Sequence, residues 1–170
     1  MWLRRGRSAD GEHLAHRPRS DHDGATPHST GLATLGLLRV GALAGRADLG
    51  RTAERVLRTH AFVLERAPAA YPTLARAALA AERGLSCAVV VGEPSDPRTR
   101  ALALRARRSL APEDAVWVVA PGSPTPAGID PSWLAGRETV GGAPAAYVCR
   151  GTVCSLPATK PEELVALCPT

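Results

Sequence analysis

Two cysteines near the end of the chain are the residues best suited to chemistry. Cys149 and Cys154 lie in the segment AAYVCRGTVCSLP, where an apolar run leads to an Arg-Gly pair and a second short apolar run. This order predicts a strand, a tight turn and a return strand, with the two sulfurs opposite one another. Such a hairpin could be packed without a chemical role, could support a thiol-dependent function, or could supply part of a metal site.

The spacing of these cysteines differs from the familiar thiol and zinc patterns. An active dithiol of the thioredoxin kind is a CxxC at a helix N-terminus, whereas four residues separate Cys149 from Cys154. A zinc centre needs further ligands, and Cys168 is the nearest other cysteine in sequence. All three interpretations therefore stay open.

Other polar residues that could do chemistry lie in a loop near the N-terminus. Asp21, His22, Asp23 and His28 are of types that bind metals or transfer protons. Their spacing is not the i, i+4 spacing of a helical zinc site, so a solvated turn is the alternative. His60 lies on the apolar stripe of a predicted helix, where we expect a hydrogen-bonded, partly buried histidine.

The segment GEPSDP joins a predicted strand to a predicted helix, where exposed amide groups attract anions. It contains one glycine and neither GxGxxG nor GxxxxGK[ST]. A plain turn is therefore the alternative to a phosphate site.

The elements that must position these residues are helices in the first half of the chain. The segment GLATLGLLRVGALAG predicts a buried helix that ends near Gly45. The segment ADLGRTAERVLRTHAFVLERAP predicts an amphipathic helix with Asp48 as its N-terminal cap. A third helix is predicted from Pro72 to Arg83, before Gly84. Short connections between these helices predict helical hairpins.

The second half of the chain predicts a small α/β unit. The runs SCAVVVG and AVWVVAP predict parallel strands joined by a helix that Asp96 caps and Pro97 begins. GAPAAYVCR predicts a third strand beside TVCSLP, and Thr159 with Glu162 predicts a capping box for the helix PEELVALC. The predicted fold class is thus mixed α and α/β, with a polar arm or loop at 1–30, helical hairpins at 31–85 and a small βαβ unit with a C-terminal hairpin and helix at 86–170.

The amino-acid composition argues against several classes of function. The 170 residues carry a net charge of +5, and Lys160 is the only lysine among 21 basic residues. The aromatic residues are few and several of them look like core residues, not stacking platforms, so nucleic-acid binding is not favoured. No segment has the length and apolarity of a membrane span or the pattern of a signal peptide. We therefore expect a cytoplasmic protein whose cysteines are reduced.

Two segments resemble a known family. GEHLAHRPRSDHDGATPHSTGLATLGLLRV and PAAYVCRGTVCSLPATKPEEL are similar to signatures from the C-terminal part of the thioredoxin-domain-containing proteins, which include the spermatogenesis-associated thioredoxin-like proteins of animals. The resemblance extends from about Gly11 to Leu167. The residues that fit the two signatures are Asp23, Gly24 and Pro27 in the first and Tyr147, Cys149, Cys154, Pro157 and Glu163 in the second.

The resemblance implies a thioredoxin-like domain joined to a helical α/α toroid of the six-hairpin glycosidase or N-acylglucosamine 2-epimerase type. This chain lacks the thioredoxin CxxC and most of a toroid, so it is expected to be a C-terminal fragment with a carbohydrate-related or redox-linked role in the complete protein. His28 and Thr30 replace the serine and asparagine usual after DGATP. No residue set predicts a cofactor or metal.

An incomplete toroid also suggests a non-enzymatic alternative. Helices shaped to close a ring would leave an exposed apolar edge, and such an edge associates with a partner chain or with itself. The sequence therefore also predicts an interaction module.

Overall fold

The computed structural model describes residues 22–151 and 153–167, apart from the side chain of residue 166. These residues form a mixture of helices and one four-stranded sheet, and none of the described helices has the length and apolarity to cross a bilayer. The elements in chain order are α1 (Ser29–Leu43), α2 (Ala47–Thr59), α3 (Ala61–Arg66), α4 (Pro72–Arg83), β1 (Ser86–Val91), α5 (Pro97–Ser109), β2 (Ala115–Val119), β3 (Ala145–Arg150), β4 (Val153–Cys154) and α6 (Glu163–Leu167), with short 3₁₀ helices at Pro68–Ala70 and Pro131–Trp133.

The sheet has the order β2-β1-β3-β4. β1 runs parallel to β2, as the strand–helix–strand spacing predicts, and antiparallel to β3. All six residues of β1 are buried, because neighbouring strands cover both edges and packed side chains cover both faces. β3 and β4 form the predicted antiparallel hairpin, so β4 lies at one end of the sheet.

Each face of the sheet has its own hydrophobic core, because successive side chains of a strand point to opposite faces. Ala88 and Val90 of β1 pack with Leu102 of α5 and Leu164 of α6. The opposite face carries a second cluster, which contains Cys87, Val89, Val91, Ala115, Trp133 and Cys149. The second face is therefore the one that holds sulfur and aromatic side chains.

α1 is the helix around which the helical part is arranged, since it packs against both α2 and α4. At Gly31 an added Cβ would lie 2.8 Å from the backbone nitrogen of Leu74 in α4. At Gly41 it would lie 3.2 Å from the backbone nitrogen of Gly50 in α2. The missing side chains therefore allow the helix backbones to approach closely.

Asp114 joins the helical part to the sheet. Its buried carboxylate accepts two hydrogen bonds of 3.0 Å from Arg83 at the end of α4. It also accepts hydrogen bonds from the Ser86 amide (2.9 Å), at the start of β1, and the Ala111 amide (3.2 Å). A buried carboxylate is tolerated only when it is paired and hydrogen-bonded, and Asp114 meets both conditions.

Two predicted features of the helices are wrong in detail. α2 begins at Ala47 with Arg46 at its N-cap position, so Asp48 lies in the first turn and is not the cap. Its carboxylate instead accepts hydrogen bonds from Arg46 at 2.8 and 2.7 Å. The single helix predicted for this segment is also divided at His60, where α2 ends and α3 follows.

The final helix begins differently from its prediction. Glu163, not Glu162, accepts hydrogen bonds from the backbone amides of Thr159 (2.8 Å) and Lys160 (3.2 Å). The spacing is four residues and not three, so it is not the predicted capping box, and the helix begins at Glu163. By contrast, the predicted helix from Pro72 to Arg83 and the strand SCAVVV are confirmed.

We predict that Gly31→Ala destabilises the protein by about 1–3 kcal/mol, because the new methyl group would meet backbone atoms of α4 that cannot move independently. Gly36→Ala is the matched control on the same helix, since nothing lies within 4 Å of its added Cβ. This control is expected to stabilise the helix by up to about 1 kcal/mol. Chemical denaturation of both variants measures the difference, and equal effects would contradict the close α1–α4 packing.

Candidate functional site

The β3–β4 hairpin brings the two predicted cysteines together. Cys149 and Cys154 are direct partners in the strand register and are joined by a disulfide. Gly151 in the turn has a φ of 57°, a left-handed conformation that favours glycine. The predicted hairpin is confirmed, and the expectation that these cysteines are reduced is wrong for this pair in the structure.

Arg137 lies against the disulfide. Its Nη2 is 2.6 Å from Cys154 Sγ and 3.5 Å from Cys149 Sγ. Its Nη1 donates to the carbonyl groups of Ser132 (2.8 Å) and Ala135. Within the described part of the chain, no carboxylate forms an ion pair with this guanidinium, and its buried Nε has no hydrogen-bond partner. A positive charge without a neutralising anion therefore faces two sulfur atoms.

Tyr147 positions the segment that carries this arginine. Its hydroxyl donates to the Glu138 carbonyl at 2.8 Å, next to Arg137 in the chain, and accepts from the Glu138 amide at 3.3 Å. Tyr147 belongs to β3, as Cys149 does, and the two residues share one face of the sheet. The structure therefore brings Tyr147, Cys149 and Cys154 together with an arginine that the sequence analysis did not select.

The segment before Arg137 is attached to the helical part. The Asp130 amide donates to the Leu43 carbonyl at 2.9 Å, and Trp133 Nε1 donates to the Ala42 carbonyl at 3.2 Å. Trp133 is buried on the cysteine-bearing face, beside Trp117 of β2. Contacts to the end of α1 thus hold the loop that places the guanidinium.

A third cysteine lies beside the disulfide. Cys87 of β1 is the register partner of Cys149, so the two side chains occupy the same face of adjacent strands. Cys87 is fully buried and is a free thiol. Burial raises the pKa of this thiol to about 12, although the charge of Arg137 acts in the opposite direction. At neutral pH Cys87 is therefore protonated.

This arrangement is suited to reversible thiol chemistry. A guanidinium beside a sulfur favours the thiolate over the thiol, and the thiolate is the form that attacks and leaves in disulfide exchange. Among the described residues, no group of three or more histidine, cysteine, aspartate or glutamate side chains comes together, and Cys168 lies outside these residues.

The first signature lies at a different place in the fold. Asp23 accepts hydrogen bonds from the His28 amide (2.8 Å), at the start of α1, and from the Thr73 amide (3.0 Å), at the start of α4. The Thr73 hydroxyl donates to it as well. Gly24 has no neighbour that requires glycine, and Pro27 is exposed. Asp23 therefore caps two helices, and the structure does not bring it to the disulfide.

The other polar candidates lie in different environments. His28 is buried against the rings of Tyr71 and His60, and its Nδ1 has no hydrogen-bond partner. His60 Nδ1 donates to the Val56 carbonyl at 2.8 Å, as expected of a satisfied, partly buried histidine. His22 is exposed, and Asp21 lies outside the described residues.

The GEPSDP segment is a capped turn. Asp96 caps α5 by accepting from the Arg98 amide at 2.8 Å, as predicted, and it also pairs with the Arg98 guanidinium. The position that an anion would occupy at this helix terminus is therefore taken by the chain's own carboxylate.

Sequence reasoning missed Arg137 and Cys87. Arg137 lies in an irregular segment, where no periodicity or motif distinguishes one arginine from the others. Cys87 did carry a signal, because it lies in a confidently placed buried strand. Its contact with Cys149 nevertheless depends on the register of β1 against β3, which the sequence does not specify.

We predict that Asp23→Asn lowers the melting temperature at neutral pH and that the loss disappears in acid. Burial acts to raise the pKa of Asp23, but the hydrogen bonds from Thr73 and His28 outweigh it and leave the pKa below its usual value. Stability from a carboxyl with a depressed pKa is full above about pH 4 and is lost as the pH falls through the folded-state pKa.

Thermal unfolding followed by circular dichroism between about pH 2 and pH 7 measures this effect. Glu54→Gln is the control, since Glu54 makes only an exposed contact of 3.8 Å with Arg58. A difference between wild type and Asp23→Asn that stays constant over this range would contradict the charged capping role.

The chain is similar in sequence to a protein of three mammals. The chain is 29% identical over 155 residues to spermatogenesis-associated protein 20 of Rattus norvegicus. It is 28% identical over the same length to the spermatogenesis-associated proteins 20 of Mus musculus and Homo sapiens. No family model matches the chain, and no solved structure does.

The alignments cover 91% of this chain and 20% of each relative, so the chain spans about a fifth of the length of the curated relatives that it matches. The similarity supports homology with one part of spermatogenesis-associated protein 20, which is a larger protein. This finding agrees with the resemblance to the spermatogenesis-associated proteins of animals that the two sequence signatures suggested.

Proposed function

We propose that the chain is a redox-linked segment of a larger thioredoxin-domain-containing protein, in which Cys149 and Cys154 alternate between disulfide and dithiol. The observation that carries this proposal is that the Arg137 guanidinium contacts both sulfurs of the bridge. A neutral disulfide gains little from a guanidinium, whereas the thiolate formed on reduction would gain a charge-assisted hydrogen bond.

The helical part belongs to the same proposal. α1 packs against both α2 and α4, which suits consecutive hairpins from an α/α toroid. In the complete protein we place these helices in such a ring, where a carbohydrate-related role would require the remaining hairpins. The Cys149–Cys154 pair would then lie at the edge of the ring and exchange electrons with a thioredoxin-like domain.

The proposal predicts that Arg137→Gln makes the disulfide harder to reduce. Removing the charge destabilises the thiolate and not the disulfide, so the midpoint potential should fall by about 30 mV or more, equivalent to about 1.4 kcal/mol. Equilibration of the protein in dithiothreitol buffers of graded potential, followed by gel-shift labelling with a maleimide polymer, measures the midpoint.

Arg150→Gln is the matched control. Arg150 adjoins Cys149 in β3 and carries the same charge, but its Nε lies 3.4 Å from Ser86 Oγ. Its removal should leave the midpoint nearly unchanged. Equal shifts in the two variants would point to a general charge effect, and a wild-type disulfide that never forms would refute the proposed redox role.

An exposed apolar face on α1 favours a second candidate, a non-enzymatic interaction module. α1 is largely apolar, which is typical of a helix mostly surrounded by protein; its polar residues are Ser29, Thr30, Thr34 and the exposed Arg39. Yet Leu32, Ala33, Gly36 and Val40 are exposed along one side of it. In this proposal, the face binds another part of the complete protein, or a second copy when the chain is alone.

This candidate predicts that the chain self-associates and that the double variant Leu32→Gln/Val40→Gln reduces the association. Light scattering after size-exclusion chromatography should give a mass above 17.7 kDa for the wild type and a value nearer to it for the variant. Leu104→Gln on α5 is the control, since Leu104 is as exposed as Leu32 but lies on another helix. A monodisperse wild-type monomer would contradict the proposal.

A further inference from the structure

The two sulfurs of the disulfide differ in access to solvent. Cys149 is fully buried between β1 and the hairpin, whereas Cys154 is only half-buried. Cys154 also belongs to β4, which lies at the end of the sheet and pairs only with β3 among the described strands. A thiol on a second molecule can therefore approach Cys154 without opening the sheet, but it cannot approach Cys149 in this way.

The free thiol of Cys87 does not compete with an external thiol for attack on the disulfide. Cys87 is the register partner of Cys149 but is buried, and its high pKa keeps it protonated at neutral pH. A protonated thiol is a poor nucleophile. Exchange between Cys87 and the disulfide is therefore expected to be slow.

We infer that Cys154 is the sulfur that exchanges with partner thiols and disulfides, and that Cys149 is the buried resolving cysteine. This inference rests on the proposed redox function and assigns the roles within it. In reduction, a partner thiolate attacks Cys154 Sγ. A bond forms between the partner sulfur and Cys154, the Cys149–Cys154 bond breaks, and its electron pair leaves on Cys149 Sγ.

A second partner thiolate completes the reduction. It attacks the partner sulfur of the mixed disulfide, so the partner leaves oxidised as a disulfide and Cys154 leaves as a thiolate. Oxidation is the reverse: the Cys154 thiolate attacks a partner disulfide, and Cys149 then displaces the partner thiol from Cys154. The electrons come from, or go to, a thiol–disulfide couple on the partner.

Arg137 can serve both steps as a positioning residue. Its Nη2 lies 2.6 Å from Cys154 Sγ and 3.5 Å from Cys149 Sγ, so the negative charge meets the same guanidinium whichever sulfur carries it. The Tyr147 hydroxyl and the carbonyl groups of Ser132 and Ala135 hold the arginine segment in place during the transfer.

The experiment compares Cys149→Ser with Cys154→Ser in the full chain, using glutathione disulfide as the probe. The reduced proteins are incubated with the probe at neutral pH, quenched with acid and mapped by mass spectrometry. Trypsin cleaves after Arg150 and so separates Cys149 from Cys154, and fragment ions separate Cys154 from Cys168. We expect Cys154 in the Cys149→Ser variant to be glutathionylated at least about tenfold faster than Cys149 in the Cys154→Ser variant.

Wild-type protein gives a second measurement that does not depend on a variant folding. Reduced wild type is treated with less than one equivalent of iodoacetamide, and alkylation should occur on Cys154 before Cys149 and Cys87. Equal or faster modification of Cys149 in either experiment would overturn the assignment. If the wild-type disulfide cycles reversibly in the buffers described above, such a result refutes the assignment alone and leaves the proposed redox function standing.

Discussion

The buried carboxylate of Asp114 is the interaction on which the relation between helices and sheet depends. Its two oxygens accept donors from the end of α4, the first residue of β1 and the loop before β2. The charge of Arg83 compensates for part of the cost of burying this carboxylate, and the backbone amides complete its hydrogen bonding. Without this residue, α4 would lose its fixed position relative to the central strand.

The candidate site follows from that fixed position through the register of the sheet. β1 is held at its start by Asp114, and its pairing with β3 places Cys87 beside Cys149. A slip of one residue would turn the cysteines of one strand to the opposite face. The segment that carries Arg137 is held separately, by hydrogen bonds to carbonyl groups at the end of α1. Hydrogen bonds and packing therefore connect the helical part to the disulfide. The two sequence signatures nevertheless lie in different parts of the fold.

The elements with a clear period were predictable from sequence, and the contacts between them were not. The β-branched run of β1 and the Arg-Gly turn after Cys149 are local patterns, and both appear in the structure as expected. Arg137 acts through a long-range contact from an irregular segment, for which no local pattern exists. The break at His60 and the cap by Glu163 shift elements by a few residues, since helix ends depend on tertiary contacts more than on composition.

The disulfide closes a very small ring, because its cysteines are separated by five positions in the chain. The restriction that a bridge places on the unfolded chain grows with the length of chain enclosed, and for a ring of this size it amounts to about 2 kcal/mol, well below the value for a long loop. Opening the bridge is therefore expected to cost about 2 kcal/mol, which is a noticeable fraction of the free energy of unfolding of a domain. A bridge across a turn this short acts on the hairpin that carries it and does not tie together distant parts of the chain.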